Sequence, residues 1–265
     1  TSGTRAPTSA TPRSTSARYA AIADADGNRV RQNQYFRIRY FNQKRDFGAR
    51  ADYEGSVQNA LEEARVNVRR LLGETRERPC DVILYSREEF RLPHGAAASQ
   101  AIAGFYSEDA IRMNDSAEMN AQNQAVLVHE YVHAVMDEVV NFRHGALPVW
   151  MHEGTAELVE WRYQGGDGAP LNYKNRLAGL AKNKRLPSLS QLKDGPLVGM
   201  SDPGLMYALS AMAVRELVNK SGMSALVRMM RDCGRGVPFE KALEEHYGLT
   251  VEQLDERVSD TLAAK

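Results

Sequence analysis

The chain has 265 residues, 43% of them hydrophobic and 26% charged, with 34 Lys plus Arg balanced by 34 Asp plus Glu. That composition suits a soluble globular protein with a real core and excludes fibrous, collagen-like and wholly disordered classes. Zero net charge supplies no global field toward nucleic acid or an anionic membrane, so no nucleic-acid partner is expected and function has to be sought in a local site.

Residues 1–18, TSGTRAPTSATPRSTSAR, read as a flexible Ser/Thr/Pro-rich linker; the tract lacks the apolar segment of a signal peptide. A tether of this kind leads us to expect an exported protein, periplasmic, tethered at the cell surface or secreted, whose targeting segment lies upstream. No apolar run reaches the roughly 20 residues of a membrane-spanning helix. The stretch Val126 to Val140 is interrupted by His129, Glu130, His133, Asp137 and Glu138. Cys80 and Cys233 match no metal spacing and suit one disulfide or two buried thiols equally well.

In chain order, RYAAIADADGNRV predicts two short strands around an Asp26-Gly27 turn. Its Asp24, Asp26 and Asn28 do not make a calcium loop, because the glycine falls too early and no glutamate closes it. Tyr35 to Phe41 alternates Phe36, Ile38 and Tyr40 with Arg37 and Arg39, the period of a half-buried strand. From Tyr53 the period becomes helical, through Val57, Ala60, Leu61, Ala64, Val68, Leu71 and Leu72, and stops at Gly73. The apolar run DVILYS after Cys80 returns to a strand, which implies a crossover connection and a sheet with a helix on its face. AGFYSEDAIRMND gives two more extended pieces joined by Ser107, Glu108 and Asp109.

A helix is predicted from about Asn120 to Asn141. Beyond Leu147 every strong periodic segment is helical, including VWMHEGTAELVEWRY, LMYALSAMAVRELVNK, GMSALVRMMRD, PFEKALEEHYG and VEQLDERVSDTLAA. The expected fold class is therefore α+β, with a sheet-bearing lobe at 19–146 and a helical lobe at 147–265.

The chemistry concentrates in LVHEYVHAVM, Leu127 to Met136. Four residues of helix turn the chain by about 400°, so His129 and His133 project from one face about 6 Å apart and can converge on one ion. Glu130, rotated by about 100°, is poorly placed as a ligand and well placed to reach a water beside the metal. A catalytic zinc site needs a third protein ligand and an open position. The residues after His133, AVMDEVVNF, bring no further histidine, whereas PVWMHEGTAELVE offers Glu153 and Glu157, again four apart. Gly145 lets the chain reverse and Pro148 suits a first helical turn, so this segment can fold back beside the histidine helix.

HExxH followed after 19 intervening residues by the glutamate of WMHEGTAE resembles the gluzincin zinc metallopeptidases, particularly peptidase-MA-like domains and more distantly the thermolysin and zinc aminopeptidase folds. The resemblance implies a thermolysin-like two-lobe arrangement with one catalytic zinc in the cleft between the lobes. It makes Glu153 the third ligand beside His129 and His133, and Glu157 the group that holds the outer nitrogen of the first histidine. Ala103, Gly104, Phe105 and Tyr106 are similar to the edge strand that pairs with a substrate backbone. YALSAMAVREL is similar to the helix bearing a transition-state tyrosine, which maps to Tyr207. Nothing matches the aminopeptidase motif that grips a free amino terminus, and Arg112 to Asp115 is at most a remnant of it.

The expected activity is hydrolysis of peptide or protein substrates, as an endopeptidase rather than an aminopeptidase. Zinc would activate a water, Glu130 would act as general base and Tyr207 would donate to the developing oxyanion. Among the other histidines, His152 points about 100° away from Glu153, toward solvent or behind the ligands, and His144 is within reach of the cleft from its loop. His94 and His246 receive no role. Two other readings fit the same residues: a noncatalytic scaffold with a structural zinc, and a zinc hydrolase acting on nonpeptide amides.

Overall fold

Six short extended segments of this chain pair their main-chain N–H and C=O groups in a single sheet. The computed structural model describes residues 19–23, 27, 29–42, 51–90, 103–114 and 119–264. The expected linker at 1–18, the turn residues Asp24, Asp26 and Asn28, His94 and Asp115 lie outside these residues. Strands β1 (Ala20–Ala23), β2 (Arg29–Gln32), β3 (Phe36–Tyr40), β4 (Cys80–Tyr85), β5 (Gly104–Ser107) and β6 (Ala110–Asn114) form one sheet in the order β1-β2-β3-β4-β6-β5. β3, β4 and β6 run parallel, while the β1-β2, β2-β3 and β5-β6 pairs are antiparallel. In β3 the expected alternation is present: Phe36, Ile38 and Tyr40 are buried while Arg37 is exposed and donates to Asp81 at 2.7 Å.

The crossover from β3 to β4 is helix α1 (Ala51–Leu72), whose Val57, Leu61, Ala64, Val68 and Leu72 form the buried stripe. β5 and β6 are joined through Glu108 and Asp109, both with positive φ, the conformation that a two-residue hairpin turn requires. β5 is the edge strand, and it lies alongside the next helix, α2 (Ala121–Val139).

α2 starts where Asn120 caps it, its side chain accepting from Asn123 N–H at 2.9 Å. From Leu127 to Asp137 the helix is buried on every side. Such a helix needs neighbours all round. Tyr131 meets Phe36 of the sheet at 5.4 Å between ring centroids, and α3 (Val149–Tyr163) packs on another face. The reversal between these two helices passes through Gly145 at φ +78°, where a side chain would be strained. Pro148 caps α3 from extended backbone, one residue earlier than the expected first turn.

The remaining helices are α4 (Leu171–Lys182), α5 (Pro203–Ser221), α6 (Met223–Gly234), α7 (Phe239–Tyr247) and α8 (Val251–Ala263). The α+β class expected from the sequence is the one observed. One cluster of buried apolar side chains runs without interruption from Phe36 in the sheet to Leu262 in α8. A second, smaller cluster of Ile83, Tyr85, Phe90 and Ala110, with Phe105 packed against it, covers the other face of the sheet. Cys80 and Cys233 are free, buried thiols, which decides between the two readings left open by the sequence.

Candidate metal centre

Helical spacing sets the first two groups. His129 and His133, one turn apart on α2, hold their ring centroids 4.9 Å from each other, and both are buried. α3 brings Glu153 against them: its Oε2 lies 3.4 Å from His129 Nε2 and 3.2 Å from His133 Nε2. These three ligand atoms fall within 4.8 Å of one another. Two imidazole nitrogens and one carboxylate oxygen directed at one point are the donor set that zinc takes in an open, catalytic site. The outer nitrogens are already occupied, His129 Nδ1 by Glu160 Oε2 at 3.1 Å and His133 Nδ1 by His152 Nδ1 at 2.8 Å. Each ring is therefore oriented so that Nε2 faces the shared point, and the residues fit the metal.

The metal-free electrostatics point the same way. Burial would raise the Glu153 carboxyl, but His133 and His129 outweigh it and hold the group well below the usual carboxylate range. Burial disfavours a charged His129, yet Glu153, Glu160 and Glu130 together push its pKa well above that of a free imidazole. His133 is lowered, by burial first, with His129 and His152 adding to it against the pull of Glu153. Without metal, the neighbouring carboxylates thus favour positive charge on His129.

Glu130 stands apart from the ligand group. It is buried, and burial pushes its carboxyl up to about 7, with Glu153 and Glu160 adding to the rise and His129 and the Tyr106 N–H opposing it. Its Oε2 accepts the backbone N–H of Tyr106 on β5 at 2.7 Å. That N–H is directed away from β6 and toward α2. By the two-residue period of a strand, the main chain of Gly104 shares the same edge.

Tyr207, on α5, is 50 residues beyond Glu157 in sequence, yet its ring centroid lies 6.3 Å from that of His129. Its hydroxyl stays protonated because burial, then the charges of Glu153, Glu130 and Glu157, raise its pKa above the ordinary phenol value. The approach depends on Gly154. A Cβ at that position would stand 2.4 Å from the carbonyl oxygen of Ser210, a distance no side chain tolerates, so glycine lets α3 and α5 touch backbone to backbone. Ser210 is one helical turn from Tyr207 and shares its face. The sequence reading missed this function of the glycine in HEG.

Two expectations change. Glu157 was expected to hold the outer nitrogen of His129, but Glu160 is the nearer partner, at 3.1 Å against 3.7 Å. Seven residues return a helix to within about 20° of the starting azimuth, whereas four overshoot by about 40°. Glu157 instead accepts from Trp161 Nε1 at 2.8 Å, and burial raises its carboxyl pKa. The side chains expected to line a substrate groove also have other partners. Phe105 turns to the opposite face of the sheet and packs on Phe90, with ring centroids 5.7 Å apart. Tyr106 donates its hydroxyl to Asp137 Oδ2 at 2.9 Å, and Ala103 accepts from the N–H of Asn114 at 2.9 Å, so the strand offers the site its main chain.

Of the remaining histidines, His152 is the partner of His133, His144 is exposed in its loop, and His246 pairs with Asp232 at 2.7 Å. Arg112 is engaged by Tyr85, Ser107 and Glu108. A cavity of about 770 Å³ lined by Leu147, Trp150, Leu189 and Phe239 contains none of the ligand residues.

The sequence profile of the peptidase MA superfamily matches residues 62–264. The chain belongs to the peptidase MA superfamily. The resemblance drawn from His129 to Glu157 is thereby upheld. Among solved structures, the M1 zinc metallopeptidase from Deinococcus radiodurans is 18% identical with a TM-score of 0.46, covering 92% of this chain and 50% of its own. A point mutant of that enzyme gives 17% and 0.44 over the same shares. A two-domain M1 zinc metallopeptidase mutant bound to L-tryptophan gives 17% and 0.41, covering 93% of this chain and 51% of its own. The chain thus spans about half the length of these structures. No curated protein matches it in sequence.

Proposed function

We propose that this protein is a zinc-dependent peptidase that cleaves within peptide chains, with one zinc held by His129, His133 and Glu153. The observation that carries the reading is the convergence of these three ligand atoms beside a buried carboxylate, Glu130, that is not one of them. A purely structural site gains nothing from such a neighbour. A zinc ion held by these residues would supply Lewis-acid chemistry, acidifying a water near neutral pH and polarising a carbonyl.

The chain's own residues supply the rest. Glu130 takes a proton from the attacking water at its carboxylate and returns it to the leaving nitrogen, a task suited to a buried carboxyl that is not itself a ligand. Tyr207 keeps its proton and donates to the oxygen that gains charge, an interaction typically worth about 3 to 4 kcal/mol in the transition state. The outer edge of β5 offers an extended substrate the main chain of Gly104 and the carbonyl of Tyr106, whose N–H is given to Glu130. No acidic residue lies within 103–107, and Glu108 is held outward by Arg112, which favours cleavage within a chain over capture of a free amino terminus. In this reading the sheet-bearing segment 19–146 and the helical segment 147–265 act as two lobes facing the metal, as in thermolysin-like enzymes.

Atomic spectrometry of the purified protein should find one zinc per chain, and casein hydrolysis should disappear on chelation and return when zinc is restored. His133→Ala should lose both. A wild-type chain that takes up no zinc would refute the reading.

A further inference from the structure

Several polar side chains near the site take no part in the proposed chemistry, yet they form one connected line. His133 Nδ1 meets His152 Nδ1 at 2.8 Å, with the two ring planes inclined by only 18°. His152 Nε2 faces Asp137 Oδ1 at 3.6 Å. The other oxygen of Asp137 accepts the hydroxyl of Tyr106 at 2.9 Å. That hydroxyl also lies 3.2 Å from Asp109, but Asp109 is already neutralised by Arg76 and Arg78 at 2.6 and 2.9 Å. With one proton to give, Tyr106 has its nearer and less satisfied acceptor in Asp137.

The direction of each bond follows from what a metal ligand requires. As a metal ligand His133 would present a bare Nε2 beside Glu153, so the proton of the neutral ring would sit on Nδ1 and be donated to His152. His152 must then leave its own Nδ1 bare and carry its proton on Nε2, where it points at Asp137. Asp137 remains ionised, since His152 and Tyr106 outweigh the effect of its burial. Two hydrogen bonds, His133 to His152 and Tyr106 to Asp137, are joined by the His152–Asp137 contact, which at 3.6 Å is electrostatic. Removing any member allows the next ring to adopt the other tautomer, and for His133 that tautomer cannot bind a metal through Nε2.

We propose that His152, Asp137 and Tyr106 are positioning residues that fix the tautomer and orientation of His133 and tie this ligand to the edge strand β5. The inference rests on the metal-site reading above and extends it. Tyr106 is the junction, because its backbone N–H holds Glu130 while its side chain ends the line from His133. One residue of the edge strand thereby touches the base directly and a ligand at two removes.

The test is the zinc dissociation constant of the full chain, measured by competition with a chromophoric chelator alongside thermal denaturation of the metal-free protein. His152→Leu should weaken zinc binding by about 10 to 100-fold, the usual effect of losing a ligand's hydrogen-bond partner. His152→Asn, whose amide oxygen can stand where Nδ1 stood, should recover most of that affinity. Tyr106→Phe, which keeps the backbone N–H to Glu130, should weaken binding by about tenfold, at the lower end of that range. Wild-type zinc affinity in folded His152→Leu overturns the proposal; should that variant not fold, unchanged affinity in Tyr106→Phe overturns it equally. If the variants change only the melting temperature, the line is structural support and the proposal fails while the metal site stands. If the wild-type chain itself binds no zinc, both readings fall together.

Discussion

Glu160 and Glu157 differ by less than one helical turn, and the site distinguishes them by azimuth. Glu160 lies two turns from Glu153 on the same line and reaches His129 Nδ1 at 3.1 Å; Glu157 is drawn toward Trp161 Nε1. Glu160→Gln should therefore weaken zinc binding by about 10 to 100-fold, and Glu157→Gln should do so by clearly less. Chelator competition on the two variants decides the order, and a larger loss in Glu157→Gln would reverse the assignment. At this scale the ligand candidates were legible because helical spacing sets His129 and His133 on one face, while the resemblance to gluzincins singled out Glu153 from Glu157. Glu160 was not legible, since it takes the seven-residue return of a straight helix, rather than the nearest acidic neighbour, to find it. The part played by His152 was hidden for a similar reason. The residue does point away from Glu153, but toward the ring of His133 on the neighbouring helix, and sequence spacing within α3 carries no information about that helix.

At the scale of elements, the contact between α3 and α5 sets how closely Tyr207 approaches the site. Gly154→Ala forces its methyl into the Ser210 backbone, so the helices must separate. The expected cost is about 1 to 3 kcal/mol of stability, typical of overpacking. Because Tyr207 is displaced with α5, kcat should fall more than zinc affinity, which depends on α2 and α3. Denaturant melts together with steady-state kinetics test this, and unchanged stability in Gly154→Ala would mean that the helices are not in backbone contact. The strands and most helices were readable from period: alternation in β3, the stripe of α1, and the composition shift near Leu147. α4 was not singled out, because only Leu177 and Ala181 of its twelve residues are buried and such a narrow stripe leaves little periodic signal. Nor could alternation in β5 say which of Phe105 and Tyr106 faces α2. The period of a strand assigns two faces without naming them.

At the scale of the whole molecule, one apolar core joins the sheet-bearing and helical segments, and the two cysteines report on it from opposite ends. Cys80 begins β4 and Cys233 lies in α6; burial pushes their thiols up to about 12 and about 11. Thiolate, the reactive form, is thus scarce in the native state near pH 8. Titration with a thiol reagent should find almost no reactive cysteine in the native protein and two after denaturation. Rapid labelling of native Cys233 alone would show that the helical segment opens independently of the sheet. The same continuity of core explains why the metal centre can be assembled from α2, α3 and α5: the packing of helices on the sheet brings together groups that lie up to 78 residues apart, from His129 to Tyr207.

The claim on which the whole account depends is that Glu130 moves the proton in peptide hydrolysis at a site whose metal it does not bind. The direct measurement is mass-spectrometric mapping of the fragments released from an unfolded protein substrate by zinc-loaded wild-type chain and by Glu130→Gln, with the zinc content of both determined. The account predicts equal zinc in the two proteins, internal cleavages by the wild type, and a rate lower by about 10² to 10⁴-fold in Glu130→Gln. Equal cleavage by both proteins, or none by a fully zinc-loaded wild type, would contradict it.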